Sequence, residues 1–225
     1  MNSKQSSQRL LDKTYNQICK SLSLQEIRPG DWLRQATLAE EMNVSQATVR
    51  DALNKLVTEG LAERVPRKGV RIPFITGQDL ADIYELRIVA EGLAWEAAAT
   101  KITGAELRRM KELLPQSGMN ADPDSVEVAR QSNKEFHMIA IQASRRWTLI
   151  NVLTSLLNFN NLYYLLITSP EDTRIKDGKQ NIVEHEALIR ALEERKSTLA
   201  RELITTHIKR SMADRVALQN MEVSN

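Results

Sequence analysis

The sequence predicts a mainly α protein in two parts: a small N-terminal helical unit closed by a β-hairpin, then an all-helical bundle of about six helices. Three observations carry this. Apolar residues recur at helical spacing through most of the chain. One stretch, EGLAERVPRKGVRIP, instead reads as two short strands, LAERV and GVRIP, around a basic turn. The glycines and prolines are few, eight and six, and several mark segment edges rather than interiors.

Taken in order, residues 9–26 place Leu11, Tyr15, Ile18 and Leu22 on one helical face. Pro29-Gly30 then breaks the helix as a turn pair. TLAEEMN, residues 37–43, is a short helix. Ser45 is an N-cap candidate for the next one, whose inner face carries Val49, Leu53, Leu56 and Val57. The hairpin follows. From Thr76 onward the pattern is helix after helix. One runs from Thr76 or Gly77 to about Thr100. Thr103 with Glu106 has capping-box spacing for a second. Pro123 opens a third at an early helical position. Residues 146–168, about 178–195 and 196–219 supply three more. The predicted layout is a domain over 9–73, a linker over 74–78 and a helical domain over 79–219.

Composition narrows the function classes. The single cysteine, Cys19, excludes an internal disulfide and a Cys-based zinc cluster, and it fits a reducing cytosol. The N-terminus, MNSKQSSQRLLDK, lacks the apolar core of a signal peptide. Trp147 to Pro170 carries no charge, but Asn151, Asn158, Asn160 and Asn161 interrupt it, so a buried helix is expected rather than a membrane span. A cytoplasmic protein is the expectation. The net charge is only +2, yet residues 1–75 hold 12 Lys/Arg against 8 Asp/Glu, and the remainder holds 19 against 21. Any polyanion is therefore expected at the N-terminal part.

Helix, turn, short helix, second helix and two-stranded wing is the order of a winged helix-turn-helix. A DNA major groove admits one helix, and the preceding helix braces it against the backbone. Ser45, Gln46, Thr48 and Arg50 are the groove-facing candidates, with Asn54 next on that side. Arg50 has the fork to take a guanine edge or a phosphate. At the wing tip, Arg67 and Lys68 stand beside Gly69, which permits close backbone approach.

The run IRPGDWL…LAEEMNVSQATVRDALNKLVTEGLAERVPRKGVRI resembles the DNA-binding domain of the GntR family of bacterial regulators over about residues 9–73. The resemblance implies Arg50 as a contact arginine and Gly69 as the wing glycine near the minor groove. Gln46 departs from the arginine usual after the VS serine. The helical remainder, with ELR…EGLAWEAA, FHMIAIQAS and EHEALIRAL, resembles the FCD domain of the FadR subfamily, and six helices resemble its VanR-type branch.

The protein has three histidines, His137, His185 and His207, and each falls on its helix's apolar stripe. One such residue is usually a hydrogen-bonded core histidine. Three on inward faces of a bundle also suit convergence on one ion, and imidazole suits Zn, Ni, Fe or Mn. The other reading is that the rings bond one another, Asn133 and water. Resemblance to metal-binding FCD domains implies that these three are ligands and that Asn133 stands at the usual aspartate position. A neutral asparagine leaves the ion's charge under-neutralised, which implies an organic-acid effector whose carboxylate supplies it. Arg87 lies on the inward side of its helix; it either reaches toward that carboxylate, as the resemblance implies, or pairs with Glu91 four residues on. Asn158, Asn161, Tyr163 and Tyr164 are further effector-binding candidates, while Trp95, Phe136, Trp147 and Phe159 are expected in the core.

The expected function is a non-enzymatic transcriptional regulator. It is expected to be a repressor that binds a palindromic operator in double-stranded DNA as a homodimer and is controlled by a small effector. The rival is a metal-dependent enzyme with a three-histidine centre and Glu135, Glu184 or Glu186 as base. Each of these acids is one or two residues from a histidine, which on a helix turns it away from the ligand face.

Overall fold

A computed structural model of the protein describes residues 2–24, 26–114, 123–167 and 174–222. The chain divides into two compact units. The first comprises residues 1–76 with 158–169, and the second comprises 77–157 with 170–225.

In the first unit, α1 (Asn2–Ser23), α2 (Gln35–Glu41) and α3 (Gln46–Thr58) precede strands β1 (Glu63–Val65) and β2 (Gly69–Arg71). Helix α1 begins earlier than predicted because its first turns are polar and carry no apolar period to mark them. The strands pair antiparallel with Arg64 opposite Val70, and Trp32 adds a bridge to Arg71. Ile18 and Leu22 meet Val49, Leu53, Leu56 and Ile72 in a closed core. Two further interactions tie α1 to the end of α3: the Tyr15 hydroxyl donates to Glu59 at 2.6 Å, and the Lys55 ammonium lies 4.2 Å from the Tyr15 ring. The predicted break at Pro29-Gly30 has a steric reason. Gly30 adopts φ +91°, and a Cβ there would sit 2.4 Å from the Phe74 ring. Ser45 caps α3 as predicted, accepting from the Thr48 amide at 3.1 Å.

The second unit is built on α4 (Gly77–Ala98), α5 (Gly104–Leu113), α6 (Pro123–Ala143), α7 (Trp147–Ile167), α8 (Arg174–Glu193) and α9 (Ser197–Glu222), with α7 running on into residues of the first unit. Among the described residues the predicted count of six helices holds, as does the capping box: Thr103 accepts from the Glu106 amide and Glu106 from the Thr103 amide. Helix α4 packs along α9, and Gly92 permits this, since a Cβ there would meet Thr205 at 3.3 Å. Helix α6 lies against α4 and α5, and α8 against α9. Arg145 and Arg195 take positive φ in the short turns α6–α7 and α8–α9. Trp95 and Phe136 are fully buried as expected. Trp147 and Phe159 are not: they are 77% and 40% exposed. Size alone placed them inside, but Trp147 opens α7, where the side chain projects beyond the packed face. Among the described residues no helix is long and apolar enough to cross a membrane.

Candidate metal centre and nucleic-acid interface

The three histidines converge. His137 on α6, His185 on α8 and His207 on α9 are at most 4% exposed, and one ring nitrogen from each lies within 4.8 Å of the others. Periodicity predicts this inward placement, because a buried helical stripe points every member at the bundle axis. Ring centroids are 5.0 Å apart for His185 and His207, and 5.3 Å for His137 and His207.

Among the described residues the rings are not hydrogen-bonded to one another. His137 uses Nδ1 on Glu91 Oε2 at 2.6 Å, and its buried Nε2 has no partner there. His207 uses Nδ1 on Glu184 Oε2 at 2.6 Å. Both nitrogens of His185 are likewise buried without partners among the described residues, and its ring stacks on Phe136 at 4.0 Å. Buried polar atoms left unpaired cost free energy, so aimed lone pairs here fit a ligand. Two carboxylate-bonded rings and one ring unbonded among the described residues make a set of nitrogen donors that could hold a divalent ion.

Protonation agrees. Burial, then the charges of His207, His137 and Arg210, push His185 well below its usual value. Burial pushes His207 down to about 4 despite Glu184. Both rings are neutral near pH 7, the state that binds metal. Burial opposes ionisation of Glu91, but Arg87 and His137 more than offset it and hold the carboxyl down to about 2. Burial likewise opposes ionisation of Glu184, and hydrogen bonds from His207, Arg210 and Gln180 hold it down to about 2.

These shifts set a pH dependence. Unfolded, His207 takes its proton near 6.5; folded, near 4. The unfolded state therefore binds more protons between these values, and stability falls as pH falls through that window. In chelator-treated protein, urea unfolding is expected to be about 2 kcal/mol easier at about pH 5 than at about pH 7.5 from His207 alone. The carboxylates add a further loss below their usual range. Equal midpoints at both pH values contradict the buried neutral rings.

Sequence reasoning names Glu91 as a possible partner of Arg87 and Glu184 as a possible base, but neither as the carboxylate bonded to a histidine ring. Glu91 is fully buried, and Arg87, 4% exposed, donates from Nε to its Oε1 at 2.8 Å. Arg87 is thus inward as expected, but its Nε is engaged by Glu91 in a buried pair rather than an exposed one. The signal was the stripe Leu80, Tyr84, Arg87, Glu91, Trp95, which holds a carboxylate on an apolar face. Glu184 turns away from neighbouring His185, as the helical rotation requires, and by doing so reaches His207 on the adjacent helix. Of the other acids read as possible bases, Glu135 pairs with Arg109 at 2.7 Å and Glu186 is exposed.

Asn133 is half-buried, one turn before His137 on α6. Asn158 and Asn161 are buried and fall with the first unit in the division of the chain. The side chains of Tyr163 and Tyr164 lie outside the described residues.

On the first unit, Gln46 and Arg50 stand exposed on one face of α3, with Arg50 only loosely paired to Asp51 at 3.5 Å. Thr48 is half-buried, and its amide and hydroxyl both engage Ser45 Oγ. Asn54, next along the helix, accepts from Arg64 at 2.5 Å. Arg67, Lys68 and Gly69 are exposed at the wing tip, with Gly69 at φ +117° and open space where a Cβ would be. Arg34, which was not among the sequence candidates, lines a concavity with Trp32, Gln35, Lys68 and Gly69. Its basic character emerges only once the hairpin folds back beside the start of α2.

Residues 82–210 match the FCD domain family, and residues 10–72 match the bacterial regulatory proteins of the gntR family. The chain belongs to the GntR family and carries an FCD domain. Among GntR-type relatives, it is 28% identical over 141 residues to the Bacillus subtilis protein named as the uncharacterized HTH-type transcriptional regulator YdhC, spanning 62% of each chain. It is 28% identical over 129 residues to the Nta operon transcriptional regulator of Aminobacter aminovorans, covering 57% of this chain and 61% of that one. The chain thus matches about three fifths of the length of these curated relatives. The solved structure of Escherichia coli McbR/YncC superposes with a TM-score of 0.71 over 95% of this chain and 98% of that one, at 22% identity, which shows a shared fold. The relatives found are named as transcriptional regulators, and the metal-dependent enzyme reading has no support among them.

Proposed function

We propose that this GntR-family protein is a DNA-binding transcriptional repressor, acting in the cytoplasm as a homodimer, whose operator affinity is set by an organic acid bound at or near a metal in its FCD domain. The histidine cluster carries the sensor half of this reading: three buried rings with nitrogens within 4.8 Å of one another, three of those rings' nitrogens having no partner among the described residues. His137, His185 and His207 would hold a divalent ion, one of Zn, Ni, Fe or Mn, with Asn133 as the fourth candidate. Such an ion supplies positive charge inside a low-dielectric bundle, where an anionic effector is attracted. Arg87, already paired with Glu91, contributes its charge from behind that site.

The reader half is supported by the exposed Gln46 and Arg50 on α3 and by the basic wing. A relative described as a probable D-xylose utilization operon transcriptional repressor is consistent with repression. Two-fold proteins read half-sites about one helical turn apart, so a palindromic operator is the expected target. An effector alters DNA affinity only by binding one arrangement of the protein better than the other.

The test is selection of bound duplexes from random DNA, followed by titration of the winner at several salt concentrations. The expected result is a two-fold symmetric sequence bound with steep salt dependence. Turnover of a small molecule without DNA binding would favour the enzyme instead.

A further inference from the structure

We infer that Glu91 and Glu184 are positioning residues for the metal, each holding one histidine by Nδ1 so that Nε2 is left to face the ion. This rests on the metal reading above and adds which residues outside the ligand set determine affinity. The observation is a pattern that occurs twice. In each case an arginine, a glutamate and a histidine form a chain across two helices. Arg87 and Glu91 on α4 reach His137 on α6: Arg87 Nε binds Glu91 Oε1 at 2.8 Å, and Glu91 Oε2 binds His137 Nδ1 at 2.6 Å. Arg210 and His207 on α9 meet Glu184 on α8: Arg210 Nε binds Glu184 Oε1 at 2.7 Å, and Glu184 Oε2 binds His207 Nδ1 at 2.6 Å.

An ionised carboxylate accepts only, so Nδ1 carries the proton, and in the neutral ring that leaves Nε2 to present its lone pair. The glutamate fixes the tautomer and the ring angle together. Its own position is fixed by an arginine, which bonds the other oxygen of Glu91 and both oxygens of Glu184. Among the described residues His185 has no such chain. Its plane is set instead by stacking on Phe136, with 15° between the rings. Two donors are therefore pre-set through hydrogen bonds and the third through packing.

The asparagine at 133 increases the weight of these carboxylates. With a neutral amide among the candidate ligands, the anionic groups bonded to the ligand rings are Glu91 and Glu184. A carboxylate bonded to a ligand ring raises its basicity, and removing such a partner costs about 10–100-fold in metal affinity.

The test uses the full chain and Co²⁺, whose visible absorption reports ligand number and geometry, with Zn²⁺ competition for affinity. Glu184→Gln keeps the shape and removes the charge at a partly solvated position. Glu91→Gln is paired with Arg87→Met so that no cation is stranded in the bundle. The expected result is a saturable Co²⁺ spectrum for the unaltered protein and about 10–100-fold weaker binding for each folded variant, with a changed spectrum. A merely structural glutamate would shift thermal stability and leave the Co²⁺ spectrum and affinity alone, and that result overturns the inference while leaving the metal site standing. If the unaltered protein takes up neither ion, both fall. If the double variant does not fold, the Glu184→Gln result decides.

Discussion

Glu91→Ala is expected to cost about 3–5 kcal/mol of unfolding free energy, the size measured when one partner of a buried ion pair is removed. The geometry explains why. Glu91 is fully buried and serves both the Arg87 guanidinium and His137 Nδ1. Its loss strands a charge and a ring N–H together inside α4 and α6. The natural control lies on the same helix: Glu96 pairs with Arg201 at 2.9 Å, but both side chains are more than a third exposed. Glu96→Ala should cost less than about 1 kcal/mol, because solvent screens exposed pairs. Urea unfolding followed by circular dichroism compares the two. Equal losses would mean that the buried Arg87–Glu91–His137 chain does not exist.

Arg50→Ala is expected to weaken operator binding by about 1–3 kcal/mol per half-site, hence tenfold or more for a two-fold complex. Arg50 stands exposed on α3, and its weak pairing with Asp51 leaves the guanidinium available. Lys68→Ala should behave differently. Removing a phosphate-binding cation from the wing weakens binding to every sequence alike and reduces the salt slope by about one per half-site. Anisotropy titrations on the selected operator and on scrambled DNA separate these outcomes. Unchanged operator affinity in Arg50→Ala would remove α3 from the recognition role and favour protein contacts for the winged helix.

Much of this was legible in the sequence, for identifiable reasons. Helices declare themselves through the burial period, so the six of the second unit and the inward turn of all three histidines could be read directly. Caps are local chemistry, and Ser45 and Thr103 behave as their spacing implies. What escaped depends on pairs of helices. Glu184 neighbours His185 in the sequence, whereas its partner His207 is on α9. Glu91 reads as an ordinary i,i+4 partner until α6 is packed over it. Nothing in composition distinguishes the exposed Trp147 from the buried Trp95, since exposure depends on which helices pack against that turn. Asn158 and Asn161 sit on the same helix as residues of the second unit, yet they fall with the first, because α7 is shared between the two.

The most direct test of the central claim is the metal content of purified protein beside that of a His137→Ala, His185→Ala double variant, each measured as isolated and after exposure to Zn, Ni, Fe or Mn. About one tightly held ion per chain is expected in the unaltered protein and almost none in the variant, because the imidazole ligands are the site. Equal, near-zero metal in both would contradict it.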